Sequence, residues 1–193
     1  MENSQKILFI DSETSGLDPI QNDIITLAGI IEIDGEIKEE FYLEMQPFNY
    51  DNVSKEALAI NGLTIDKIKT FQTPQDAHKK LQTIFSKYIN KYDRNDKFTA
   101  CGHNCGFDMR FLDSLFRKCN DKYFGSWIDY HFLDTMILLN FLKFKNELQI
   151  ENVKLVTASR HFGVELTDAH NSMADIKATR ELFYKIIDRI TIK

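Results

Sequence analysis

A chain of 193 residues, 43% of them hydrophobic and with 15 Phe, is long enough to bury a substantial core; this excludes a disordered protein and points to one domain over residues 1–193. No apolar run approaches the ~18 residues of a membrane span, and the best one, Met136 to Leu142, is interrupted by Asn140. The formal charge of −5 argues against coating a nucleic-acid duplex, but not against holding a few nucleotides at a metal centre where the ions supply positive charge.

In chain order, Met1 to Lys6 has neither a basic region nor a long apolar segment, which reads against secretion. Three cysteines, sparse and odd in number, suit a reducing, cytoplasmic setting. Ile7 to Ile10 reads as a fully buried strand with Asp11 and Glu13 at its exit. Residues i and i+2 of an extended chain face the same way, with Cα atoms about 6.6 Å apart, a separation suited to bracketing divalent ions. Ile24 to Ile33 is a second strand. Asp34-Gly35 suits a two-residue type I′ turn, and a third, antiparallel strand follows from Ile37 to Gln46, ended by Pro47.

The spacing then predicts a short helix over Val53 to Leu63, capped by Ser54 and ended by Asn61-Gly62, and a helical turn at Thr64 to Asp66. A longer helix is expected from Pro74 to Asn90, a polar loop from Tyr92 to Lys97, and a fourth strand from Phe98 to Gly102. Phe107, Phe111, Leu112, Leu115 and Phe116 mark the apolar face of the next helix. A fifth strand over Trp127 to Leu133, a helix over Thr135 to Phe144, a short helix stopped at Gly163 and a last helix carrying Met173 to Ile190 complete the chain. The order gives an α/β mixed sheet covered on both faces.

Singly, Asp108 and Asp175 are acids in the first turns of helices, where they complement the dipole without needing a function. Their position carries more. Sites in open α/β sheets form beyond the strand C-termini, and Asp11, Glu13, Asp108 and Asp175 all lie where they can meet there. Such a cluster is tolerable only if cations neutralise it, and all-oxygen ligation favours Mg²⁺ or Mn²⁺. If Asn171 or Ser172 caps the last helix, His170 falls in the preceding loop and can take a proton from water. The alternative is a solvent-exposed loop histidine. Cys101, His103 and Cys105 share a strand face, but the outer two are roughly 13 Å apart, too far to converge on zinc without a sharp bend. His78, His131 and His161 have no partner at a recognisable spacing, and Cys119 is read as a helix-end residue.

Three segments resemble the motifs of a known family. Asp11-Ser12-Glu13-Thr14-Ser15-Gly16-Leu17 is similar to D-x-E-T-T-G-L, His103-Asn104-Cys105-Gly106-Phe107-Asp108 to H-N-x-x-F-D, and His170 to Asp175 to H-x-x-x-x-D. Together, in this order, they resemble the DEDDh 3′–5′ exonucleases, which include the proofreading epsilon subunit of bacterial DNA polymerase III. The resemblance runs from Lys6 to Asp188.

It implies an RNase H-like fold, a five-stranded mixed sheet flanked by helices on both faces. It implies two metal ions on Asp11, Glu13, Asp108 and Asp175, with His170 as general base and release of nucleoside 5′-monophosphates. Thr14 and Leu17 match positions that contact the terminal nucleotide, and His103, Asn104 and Phe107 match positions near the site or substrate. Asp134-Thr135 resembles a recurrent supporting pair. Asn61-Gly62 stands where the family often has His-Gly, so the wedge against the terminal base differs, and Ser15 replaces a Thr. The chain ends soon after its last helix, without the epsilon subunit's polymerase-binding tail, which leads us to expect a freestanding nuclease. The leading expectation is hydrolysis of single-stranded DNA 3′ ends. The rivals are an RNA-trimming exonuclease, which differs in its treatment of the 2′-hydroxyl, and a non-catalytic nucleic-acid-binding or scaffolding module.

Overall fold

Strand β1 runs from Lys6 to Thr14 in the computed structural model, which describes residues 4–166 and 171–190. It pairs antiparallel with β2 (Ile24–Ile33), which continues through a turn at Asp34-Gly35 into antiparallel β3 (Glu36–Glu44). Both turn residues have positive φ, 52° and 83°, as the two-residue hairpin requires. On its other side β1 pairs parallel with β4 (Phe98–Gly102), which pairs parallel with β5 (Ile128–Asp134). The sheet order is β3-β2-β1-β4-β5.

Among the described residues, seven α-helices surround this sheet: α1 (Lys55–Ile60), α2 (Ile65–Ile68), α3 (Pro74–Phe85), α4 (Cys105–Lys118), α5 (Thr135–Phe144), α6 (Leu155–Phe162) and α7 (Ser172–Arg189). The alternation of β1 distributes them. Leu8 and Ile10 pack with Ala77 and Leu81 of α3 and Leu112 of α4, whereas Ile7 and Phe9 pack with Ile176 and Phe183 of α7. Leu8, Phe9 and Ile10 are fully buried. Each such side chain contributes roughly 1.5–3 kcal/mol, which offsets the cost of the charged residues that follow them.

Several boundaries shift from the sequence expectation: the third strand ends at Glu44 rather than Gln46, the first helix covers Lys55–Ile60 rather than Val53 to Leu63, and the fifth strand covers Ile128–Asp134. Two further shifts have a visible reason. β1 does not stop at Ile10, because Asp11, Ser12 and Glu13 go on pairing with Ala28, Leu27 and Thr26 of β2. Its parallel pairing with β4 ends at Phe9↔Cys101, so the two carboxylates still lie beyond the end of the neighbouring strand. Helix α3 stops at Phe85 rather than Asn90. The Tyr88 carbonyl instead accepts a 2.7 Å hydrogen bond from Lys6 Nζ, and the Asn90 N–H donates to Asp96 at 2.9 Å, which draws the chain out of the helix.

Helix α7 is fixed to the sheet by a buried ion pair. Glu32 of β2, 1% exposed, receives Arg180 Nε at 2.6 Å and Nη2 at 2.5 Å, and the Tyr184 hydroxyl also donates to it. No helix among the described residues is long and apolar enough to cross a membrane.

Candidate active site

Asp11 and Glu13 share the β1 face of Ile7 and Phe9 and so look toward α7. Asp175 approaches them from the first turn of that helix, whose N-cap is Asn171; its side chain accepts from the N–H groups of Met173 and Ala174 at 3.1 and 3.4 Å. The start of α7 is held in register by Ser172 Oγ, 3.3 Å from the hydroxyl of Thr26, the β2 residue paired with Glu13. One oxygen from each of Asp11, Glu13 and Asp175 lies within 4.8 Å of the other two.

Asp108 arrives from the opposite face of the sheet, in the first turn of α4. Ser12 points that way, between the two acids of β1. Its backbone N–H and its hydroxyl both donate to Asp108 Oδ1, at 3.0 and 2.6 Å. The turn into α4 is tight. A Cβ on Gly102 would stand 3.0 Å from the Ile10 carbonyl oxygen, and Asn104 takes a left-handed conformation with φ 70°. Asp134 ends β5, caps α5 through Met136 N–H at 2.9 Å, and accepts from Asn104 N–H at 3.1 Å. His103 Nδ1 lies 2.9 Å from Thr135 Oγ1.

The electrostatics follow from crowding anions out of water. Burial, then the charges of Asp108, Asp175 and Glu13, hold the Asp11 carboxyl well above the usual carboxylate range. Burial, then Asp175 and Asp108, push Glu13 up to about 8. Burial pushes Asp108 up to about 7 against the lowering effect of the Ser12 hydrogen bonds, and Asp134 adds to the rise. The bare cluster therefore retains protons at neutral pH. A divalent cation would let it ionise fully, and a donor set made only of carboxylate oxygens fits a hard ion. Burial also raises the Cys101 and Cys105 thiols, and pushes Cys119 up to about 11.

Beside the carboxylates lies a cavity of about 540 Å³ lined by Thr14, Leu17, Asn61 and Phe107 among the residues expected at the substrate. Leu17 is 84% exposed, while Asn61 Nδ2 donates to the Thr14 carbonyl at 3.1 Å. Gly62, with φ 64°, and His103 and Asn104 are not among the residues lining this cavity. His170 lies outside the described residues.

The cavity also includes Glu56 and Ile60, which the sequence reading did not single out. Glu56 accepts from Ser54 Oγ at 2.8 Å, and that bond lowers its carboxyl pKa. Its sequence signal, an acid in the first turn after a capping serine, is indistinguishable from ordinary helix capping. Two histidines assigned no partner do have one: His78 Nε2 is 3.2 Å from Asp121, and His131 Nδ1 is 2.8 Å from Asp129.

A family model described as Exonuclease (RNase_T) matches residues 8–183. The chain belongs to the exonuclease family. Among curated relatives, the PolC-type DNA polymerase III of Oceanobacillus iheyensis is 29% identical over 183 residues, 95% of this chain and 11% of that one. The Bacillus subtilis enzyme is likewise 29% identical, over 191 residues, with 97% and 12% covered. This exonuclease chain thus spans about a tenth of the length of those polymerases.

Among solved structures, the zinc-bound E. coli exonuclease I complex with single-stranded DNA superimposes with a TM-score of 0.78 at 17% identity, covering 96% of this chain and 41% of that one. The complex with a dT13 oligonucleotide gives 0.75 at 17% identity, again with 96% and 41% covered. The fold is RNase H-like, a five-stranded mixed sheet with helices on both faces, as the motifs implied.

Proposed function

We propose that this chain is a 3′–5′ exonuclease that removes nucleoside 5′-monophosphates from single-stranded DNA 3′ ends with two Mg²⁺ or Mn²⁺ ions. The observation that carries this reading is the convergence of Asp11, Glu13 and Asp175 oxygens within 4.8 Å of one another, beside a cavity sized for a terminal nucleotide. The likeness to exonuclease I bound to oligonucleotides supports it.

Asp11, Glu13, Asp108 and Asp175 would hold the metal. When bound, divalent ions activate an attacking water and neutralise charge developing on the leaving oxygen. Ser12 keeps Asp108 Oδ1 directed by two hydrogen bonds. Leu17 and Ile60, both exposed at the cavity mouth, offer apolar surface to the terminal base. The Glu56 carboxylate, an acceptor, suits a sugar hydroxyl. His170, through its match to the third motif, takes the proton of the attacking water on a ring nitrogen. The three free thiols, two of them buried, agree with a cytoplasmic setting.

The test is a 5′-labelled DNA or RNA oligonucleotide incubated with purified protein and Mg²⁺, Mn²⁺ or Zn²⁺, with and without EDTA. A ladder shortened from the DNA 3′ end, abolished by EDTA and by Asp11→Ala, is the expected result. Faster shortening of RNA would move the reading to an exoribonuclease. Binding without cleavage would leave a nucleic-acid-binding module.

A further inference from the structure

A second cavity, of about 720 Å³, shares no lining residue with the one beside the carboxylates. Tyr88, in its wall, gives its carbonyl to Nζ of Lys6, the first residue of β1. Glu13 stands seven residues further along that strand, about 23 Å away at 3.3 Å per residue. Trp127, also in the wall, accepts the N–H of Phe98 at the start of β4. The cavity therefore opens at the end of the sheet opposite the hydrolytic centre.

Its chemistry reverses the overall charge of the chain. Lys79, Lys87 and Lys91 line it together with Tyr88, Tyr92 and Trp127, and no Asp or Glu is among its lining residues. Lys87 is held by Glu39 at 2.7 and 3.0 Å. Lys91 instead lies over two rings, 5.4 Å from the centre of Tyr92 and 5.5 Å from that of Trp127. Tyr92 is 85% exposed, so its ring stays accessible to a base although Lys91 stands over it. Trp127 is 3% exposed, and its indole N–H has no hydrogen-bond partner among the described residues, a costly arrangement that an acceptor would relieve. Lysines beside an exposed aromatic face suit a phosphate joined to a base, since every base offers a π-face and every phosphate an anion.

We propose that this cavity is a second nucleotide-binding site, separate from the hydrolytic centre, which takes a phosphate on Lys79 and Lys91 and a base against Tyr92. The ligand is a free nucleoside monophosphate or a nucleotide within a strand; the two share this chemistry.

Trp127 is the single tryptophan of the chain, so its emission and its indole N–H resonance both report on this wall. The full chain in EDTA is titrated with thymidine monophosphate, with an oligothymidylate and with polyglutamate. The expected result is a saturable change in both signals. Lys79→Glu combined with Lys91→Glu should weaken it at least tenfold at unchanged melting temperature, and Asp11→Asn should leave it intact. For the strand, losing two phosphate contacts should lower the log–log salt slope by roughly 1.4. Saturation by the monophosphate identifies a free nucleotide as the ligand, and a response to the oligonucleotide alone identifies a strand. Silence of both signals, a response indifferent to the charge reversal, or an equal response to polyglutamate would overturn the proposal.

Discussion

Ser12 donates its backbone N–H and its hydroxyl to the same oxygen of Asp108, at 3.0 and 2.6 Å, across 96 residues of sequence. The residue between the two acids of β1 thus aims a third acid carried by α4. Hydrogen bonds to charged groups are worth about 1.5–3 kcal/mol, and Ser12 also lowers the proton affinity of Asp108. Ser12→Ala should weaken Mn²⁺ binding roughly tenfold in calorimetry, since 1.4 kcal/mol is a factor of ten. The loss should grow as pH falls toward 6, and Ser12→Thr should restore binding.

The pH dependence of the metal-free protein follows from the raised carboxyls. In the fold Glu13 titrates at about 8 rather than 4.5, and Asp108 at about 7 rather than 3.8. The folded state keeps protons that the unfolded chain has released. The stability these groups contribute is therefore complete below about pH 4 and is lost as pH rises through 7 to 8. Melting temperature in EDTA should fall from pH 5 to pH 8.5, and Mn²⁺ should raise it more at pH 8 than at pH 5.5. A flat profile would contradict the crowding of these acids.

Replacing Asp11, whose carboxyl is held well above the usual range by burial and its acidic neighbours, should relieve the same crowding. Asp11→Asn should raise the melting temperature in EDTA at pH 8 by roughly 3–6 °C, about 1–2 kcal/mol for a domain of this size. It should also abolish both cleavage and the Mn²⁺-dependent rise. Differential scanning fluorimetry measures both.

The clamp between Glu32 and Arg180 is a stability element with a functional reach, because α7 carries Asp175 five residues before Arg180. Arg180→Met would leave the Glu32 carboxylate buried with its cation removed, which costs about 3 kcal/mol, the low end of the range because the Arg180 side chain is 26% exposed. The melting temperature should fall by roughly 6–12 °C. Adding Glu32→Gln should recover part of that loss, as a neutral amide is easier to bury.

Leu17 and Ile60 are 84% and 62% exposed, so their side chains contribute little to the core. Leu17→Ala and Ile60→Ala should each raise KM several-fold while moving the melting temperature by less than about 1 °C. A drop in kcat at unchanged KM would remove them from base contact.

Much of this protein is written locally. The buried strand at Ile7 to Ile10, the Asp34-Gly35 turn and the helix over Thr135 to Phe144 are all visible in the residues themselves. Period and capping act over a few residues, which is why they can be read from the sequence. Three motifs group Asp11, Glu13, Asp108 and Asp175 in the sequence; the structure brings oxygens of Asp11, Glu13 and Asp175 within 4.8 Å of one another and holds Asp108 against Ser12. Only the tertiary structure decided how the set is assembled. Ser12 meets Asp108 across 96 residues, Glu32 meets Arg180 across 148, and Lys91 stacks over Trp127 in a cavity no motif announces. These pairings come from where the sheet order and the burial of Leu8, Phe9 and Ile10 place each helix, and no short stretch of sequence contains that information.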